Sequence, residues 1–146
     1  SVPSSPHRMI RYQLKNGITL IDDSYNANPD AMRAAIAAAL SGSPGKKVGL
    51  VLGDMRELGL ESDRLHVELF AWITQQRGIS FLLWVGSLLP VNLSTSKFLM
   101  HRIGSVDERF SRLNESIDTC DTLLVKASRG VALDRLVDQL LVNLGA

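Results

Sequence analysis

A chain of 146 residues has the size of one domain, and its 45% hydrophobic content is enough to build a buried core. A formal net charge of +1 and a pI near 7.9, with basic residues scattered rather than in runs, exclude the electrostatic footprint of a nucleic-acid or membrane-surface binder. The single cysteine, Cys120, excludes an internal disulfide and fits a reducing, cytoplasmic setting, and no apolar stretch is long enough to cross a bilayer.

The chain starts with "SVPSSPHR", which lacks the apolar core of a signal peptide. Residues 1–7 read as a linker, or as a cut through a longer chain. "MIRYQL" and "ITLIDD" then flank "KNG", a hairpin turn signal. Over 29–41, Met32, Ala35, Ile36, Ala39 and Leu40 share one helical face. Asn28 suits the N-cap, Pro29 the first helical position and Gly42 the exit. "KKVGLVLG" (46–53) is apolar throughout, the pattern of a strand buried on both faces. The 62–77 stretch presents Leu65, Leu69, Trp72 and Ile73 on one helical face, ended by Gly78. "SFLLWVG" (80–86) is a second buried strand, and Pro90 makes 87–96 irregular. "KFLMHRI" (97–103) is a third strand. Val106, Phe110, Leu113 and Ile117 predict a helix over 106–117, followed by a fourth strand, "DTLLVKA" (121–127). The last helix, about 130–144, is the clearest, with Leu133, Leu136, Val137, Leu140, Leu141 and Leu144 in register.

Two strands followed by alternating helices and strands predict a single three-layer α/β domain over 1–146. Its sheet has about six strands, is mostly parallel, carries helices on both faces and begins with the hairpin. Such sheets bind ligands beyond the carboxyl ends of their strands, and three polar clusters sit there. In "DDSYNANP", Asn28 is explained by the cap alone. Asp22 and Asp23 could meet sugar hydroxyls or metal-bound water, and the cluster holds more polar groups than one cap and one turn require. In "LGDMRELGLES", Asp54 and Glu57 could hold an ammonium group, although a solvated charge pair with Arg56 is the simpler local account. In "VKASRG", Lys126, Ser128 and Arg129 group cations and a hydroxyl near a helix start, where anions are favoured; basic surface residues on a loop explain them equally well.

Other features carry no chemistry. "GSPGKK" (42–47) lacks the spacing of a phosphate-binding loop, and its lysines lead into a strand. His7, His66 and His101 show no metal-ligand spacing. His66 falls toward the polar side of its helix and reads as a surface histidine, while Trp72 and Trp84 read as core.

"PHRM", "IDDSYNANPDAM", "GDMRELGLES…H" and "VKASR…LD" occur in that order. Together they resemble the C-terminal domain of the Mur ligases, in the MurF-type branch that joins D-alanyl-D-alanine to a UDP-N-acetylmuramoyl-tripeptide. The resemblance spans Arg8 to the last helix and implies a Rossmann-like third domain of a bacterial, cytoplasmic peptidoglycan-synthesis enzyme. It implies as partners a central ATPase domain and an N-terminal UDP-binding domain. ATP and Mg2+ would be held mainly by that central domain, and no metal by this one. The implied reaction activates the tripeptide carboxylate as an acyl phosphate, which the dipeptide amine attacks. Arg8, Asp23 and Asn28 then fall on the nucleotide side. Tyr25, Asn26, Asp54, Glu57, Lys126, Ser128 and Arg129 fall on the side of the incoming dipeptide. No residue of this chain is a certain catalytic group, and the domain alone should be inactive, with the 22–32 loop exposed. Ala127 departs from the family's glycine and would be strained if that position required a positive φ. Two rivals stand beside this reading: the same domain in a Mur ligase with another incoming amino acid, and an independent α/β binding module.

Overall fold

The computed structural model describes residues 9–104, 113, 114 and 116–145. Its strands are β1 (Ile10–Gln13), β2 (Thr19–Asp22), β3 (Val48–Gly53), β4 (Ile79–Val85), β5 (Leu99–Ile103) and β6 (Thr122–Lys126). They form one sheet in the order β1-β2-β6-β3-β4-β5. Only the β1–β2 pair is antiparallel; β2, β6, β3, β4 and β5 run parallel. The hairpin closes as "KNG" suggests, with Gly17 at a φ of 93° and Asn16 Oδ1 accepting from the amide of Ile18 at 3.1 Å.

The helices are α1 (Pro29–Ser41), α2 (Ser62–Thr74) and α3 (Leu133–Leu144). The first begins where its cap requires: Asn28 is extended and its side-chain oxygen accepts from the amide of Ala31 at 2.8 Å. α2 ends three residues short of the expected 77. The last helix starts at Leu133, after a separate 3-10 turn at Arg129–Val131. The helix expected over 106–117 lies largely outside the described residues; near its end 113, 114 and 116 are helical, and Leu113 and Ile117 are buried. Residues 87–96 form neither helix nor strand. Instead, Arg102 on β5 donates to the carbonyls of Leu89, Pro90 and Leu93 at 2.7–2.9 Å and so shapes that segment. Burial lowers the pKa of this guanidinium from its ordinary value.

Each sheet face carries its own core, because period-two alternation sends successive side chains to opposite sides. One face packs Ile21, Leu50, Leu52, Leu82 and Trp84 under α1 and α2. The small side chains of Ala35 and Ala39 let α1 approach closely, and half-buried Trp72 packs at this core's edge. The other face packs Leu20, Val51, Phe81, Leu83 and Val125 under α3. The arrangement decides where a ligand can go. The helices that follow β2 and β3 lie on one face, while the helix that follows β6, the strand between them, lies on the other. The two crevices flanking the carboxyl end of β6 are therefore the topological switch points at which open α/β sheets bind ligands.

Candidate functional site

Three loops meet beyond the end of β6: 23–28 after β2, 54–58 after β3 and 127–132 after β6. Ser128 joins all three. Its amide donates to the carbonyl of Asp54 at 3.3 Å. Its hydroxyl accepts from the amide of Arg56 at 3.0 Å and lies 3.5 Å from the carbonyl of Ala27. Only 6% of Ser128 is exposed, so it sets the relative position of the loops as much as it lines a site. Ala127 carries no positive φ and is fully buried, so the strain raised by the sequence does not exist. The close approach falls on Gly53, where an added Cβ would lie 2.7 Å from the Ala127 Cβ and 2.9 Å from Val131.

The 22–32 loop is half buried rather than exposed, because its acidic residues are used internally. Asp22 Oδ1 accepts from the amide and hydroxyl of Ser24 at 3.1 and 2.6 Å, a local turn. Asp23 forms a buried ion pair with Lys126, its Oδ2 lying 2.7 Å from Nζ. Asp23 Oδ1 accepts from the amide of Met9 at 3.2 Å, and Lys126 also donates to the carbonyl of Asn26 at 2.9 Å. Lys126, expected on the dipeptide side, is thus committed to Asp23 and to the loop backbone. Tyr25, Asn26 and Asn28 reach the surface, and the Arg129 guanidinium sits 5.0 Å from the centre of the Tyr25 ring, a cation–π contact.

Asp54, expected to face an ammonium group, is 3% exposed and turned inward. It accepts from Trp84 Nε1, the Ser87 amide and the Leu88 amide, each at 3.0 Å. Gly86, at a φ of 131°, makes this approach feasible, since a Cβ there would lie 2.3 Å from the carboxylate. Three N–H donors satisfy a buried carboxylate, so Asp54 ties the ends of β3 and β4 together.

His66, read as a surface residue, is completely buried. Its Nε2 accepts from the Met55 amide at 3.1 Å, and its Nδ1 donates to the Ser62 carbonyl at 2.8 Å. Those partners select the neutral Nδ1–H tautomer. The ring also meets Trp84 edge-on, with centroids 5.7 Å apart. Helical periodicity misplaced it because the 54–58 loop, not a helix, covers that side of α2.

Two clefts open at the switch points. One of about 190 Å³ lies between the ends of β2 and β6, lined by Asp23, Tyr25, Asn26, Asn28, Ala31 and Lys126. The other, about 720 Å³, lies between the ends of β6 and β3, with Asn26, Arg56, Glu57, Ser128, Arg129 and Gly130 on its walls. Asn26 belongs to both. Of the residues singled out in the sequence, Asp23, Tyr25, Asn26, Asn28, Glu57, Lys126, Ser128 and Arg129 reach these clefts; Asp54 does not, and Arg8 lies outside the described residues. Arg56 was passed over as half of a surface charge pair, although its place between Asp54 and Glu57 was the available signal. No group of three or more His, Cys, Asp or Glu side chains among the described residues could hold a metal ion, and no helix among them is long and apolar enough to cross a membrane.

A mostly parallel sheet with helices on both faces and polar clefts on both sides of its switch-point strand defines a three-layer α/β domain. The family model described as "Mur ligase, glutamate ligase domain" matches residues 7–129, and the chain belongs to that family. Among its curated relatives is the UDP-N-acetylmuramoyl-tripeptide–D-alanyl-D-alanine ligase of Escherichia coli, 36% identical over 94% of this chain and 30% of the relative. The enzyme of the same name from Rickettsia prowazekii is 34% identical over 82% of this chain and 26% of the relative. The fold is similar to that of MurF from Acinetobacter baumannii, with a TM-score of 0.81, 25% identity, and 97% of this chain against 31% of that one. It is also similar to the MurF ligase of Thermotoga maritima in complex with ADP, with a TM-score of 0.73, 27% identity, and 99% of this chain against 32% of that one. The chain thus spans about 30% of the length of the relatives it matches.

Proposed function

We propose that this chain acts as the C-terminal domain of an ATP-dependent ligase that adds D-alanyl-D-alanine to a UDP-N-acetylmuramoyl-tripeptide. The observation that carries the reading is the pair of clefts flanking β6, built from the three loops whose motifs resemble the MurF type. In the reaction, the γ-phosphate of ATP passes to the tripeptide carboxylate to give an acyl phosphate. The dipeptide amine attacks that carbonyl, phosphate leaves, and an amide remains. Catalysis of this kind rests on positioning and charge stabilisation rather than on a nucleophilic side chain.

The smaller cleft is the nucleotide side. At about 190 Å³ it is below the size of a typical small-molecule site, enough for the edge of a sugar and not for a whole nucleotide. Asp23 keeps carboxylate lone pairs beyond its bonds to Lys126 and Met9, and Asn28 and the start of α1 stand beside it. Arg8, which lies outside the described residues, is assigned to the nucleotide on the resemblance of its motif alone. ATP phosphates and Mg2+ then belong to a central domain: Asp23 is engaged by Lys126 and Asp54 by three N–H groups, and Glu57 is left as a single cleft carboxylate, too few among the described residues to hold a metal ion. The larger cleft is the side of the incoming dipeptide, with Tyr25, Asn26, Glu57, Ser128 and Arg129. Lys126 serves it indirectly, by holding Asp23 and the carbonyl of Asn26.

The test is phosphate release by the complete ligase carrying this chain. It should require ATP, the tripeptide nucleotide and D-alanyl-D-alanine together. Asp23→Asn, which keeps the acceptor for Met9, should raise the KM for ATP and leave that for the dipeptide within about twofold. Unchanged ATP kinetics would remove Asp23 from the nucleotide side.

A further inference from the structure

Three consecutive residues of the loop after β3 are each tied to a different element. The Asp54 carboxylate is held at the end of β4 by Trp84 Nε1 and by the amides of Ser87 and Leu88. The Met55 amide donates to His66 Nε2 on α2 at 3.1 Å, and the Arg56 amide donates to Ser128 Oγ beyond β6 at 3.0 Å. Glu57 follows with a φ of 63°, a left-handed conformation that non-glycine residues seldom adopt. Its side chain is exposed and makes no hydrogen bond or ion pair among the described residues, so it does not hold that conformation itself. Such a backbone persists where its surroundings over-determine it, and here the three preceding anchors do so.

We infer that His66 is a positioning residue for the larger cleft: through the Met55 amide it keeps Glu57 left-handed and on the cleft wall. His66 is completely buried and lines neither cleft. Its Nδ1 proton is fixed by the Ser62 carbonyl, one turn earlier on α2, at 2.8 Å, which leaves Nε2 an acceptor. Its ring abuts the indole that holds Asp54, so ring and acceptor act on adjacent residues of one loop. Met55 is itself fully buried, and an apolar residue in place of His66 would leave its amide without a partner, which a buried N–H does not tolerate. The loop then shifts until that amide finds another acceptor or water, the backbone at Glu57 returns to a negative φ, and the Glu57 side chain leaves the wall. The reactant affected is the incoming dipeptide if the proposed function holds, on which this choice of readout rests.

The complete ligase tests this by steady-state kinetics and by NMR with isotope-labelled glutamate. His66→Leu should raise the KM for D-alanyl-D-alanine about tenfold and leave kcat and the ATP KM within about twofold. His66→Gln, whose side-chain oxygen can accept from the Met55 amide, should bring the dipeptide KM back to within about threefold of wild type. A strong intraresidue contact between the amide proton and Hα of Glu57 reports the left-handed φ; it should be present in wild type and His66→Gln and lost in His66→Leu. Leucine and glutamine variants that behave alike, an ATP KM that rises with the dipeptide KM, or a Glu57 contact unchanged by His66→Leu would overturn the proposal, because a merely structural histidine predicts these. Should His66→Leu not fold, His66→Phe, which fills the ring's space without an acceptor, takes its place. Absence of the Glu57 contact from wild type would overturn the proposal with no variant at all. If the wild-type ligase did not use the dipeptide, the ligase reading would fail separately, and the Glu57 contact across the same variants would decide alone.

Discussion

Replacing Lys126 by methionine probes the feature on which the site's geometry depends. The side chains of Lys126 and Asp23 are 5% and 12% exposed, and their charged atoms meet at 2.7 Å. Methionine keeps the length and apolar character of the stem and deletes the ammonium. The Asp23 carboxylate is then left buried with the Met9 amide as its remaining described donor, and the carbonyl of Asn26 also loses its partner. Removing one member of a buried pair costs about 3–5 kcal/mol, most of it the penalty of the orphaned charge. Partial exposure and the bond from Met9 put this case at the lower end, about 3 kcal/mol, a fall in Tm of roughly 6–12 °C for a chain of this size. Asp23→Asn combined with Lys126→Met removes the orphaned charge, keeps an acceptor for Met9, and should restore most of the loss. Urea unfolding followed by circular dichroism, with all four members of the cycle, measures both effects. A loss below about 1 kcal/mol in Lys126→Met, or a double variant no more stable than the single, would refute the claim that the pair is a buried, mutually dependent unit.

Other consequences are as specific. Gly49→Ala would place a Cβ 2.3 Å from the Phe81 ring, and calorimetry should show a loss of about 1–3 kcal/mol that Phe81→Leu partly relieves. Burial pushes the Cys120 thiol up to about 12 from 9.0, so it should resist alkylation in the folded chain at pH 8 and react on denaturation. The sign of its contribution to stability follows: above pH 9 the unfolded thiol loses its proton while the folded one keeps it. Stability supplied by Cys120 is therefore complete below pH 9 and falls as pH rises toward 12. Cys120→Ala should flatten that part of the pH–stability curve. His66→Leu removes the acceptor for the Met55 amide and should speed hydrogen exchange across 54–58, whereas His66→Gln, which retains an acceptor, should restore much of the protection. This chain alone should show no micromolar ATP binding by calorimetry, since the cleft proposed for the nucleotide, at about 190 Å³, fits only a sugar edge.

The elements were legible because local signals agreed with the tertiary answer. Asn28-Pro29 marked the start of α1, and the apolar runs at 46–53, 80–86 and 121–127 marked strands buried on both faces. The clusters at the strand ends were legible too, since only residues just beyond a parallel strand reach a switch point. Which side chains in each cluster face outward was not. Asp54 and Glu57 lie three residues apart, yet one is bound inside by Trp84 and the backbone beyond β4, and the other points to the cleft. That division depends on Gly86, more than thirty residues away in sequence. The partnership of Lys126 with Asp23 spans 103 residues, and no local pattern encodes it. The burial of His66 depends on the path of a loop. Ala127 would be strained only at a positive φ, which it does not have; its side chain instead fills the space that a Cβ on Gly53 would need.

The central claim is that this chain completes a ligase whose incoming substrate is D-alanyl-D-alanine. The most direct measurement offers the complete enzyme ATP, the tripeptide nucleotide and an equimolar mixture of D-alanyl-D-alanine, D-glutamate, L-alanine and L-lysine, and identifies the product by mass spectrometry. The account predicts the UDP-linked pentapeptide as the dominant product, formed with one phosphate released per amide. A product carrying a single amino acid in place of the dipeptide, or no amide product at all, would contradict it.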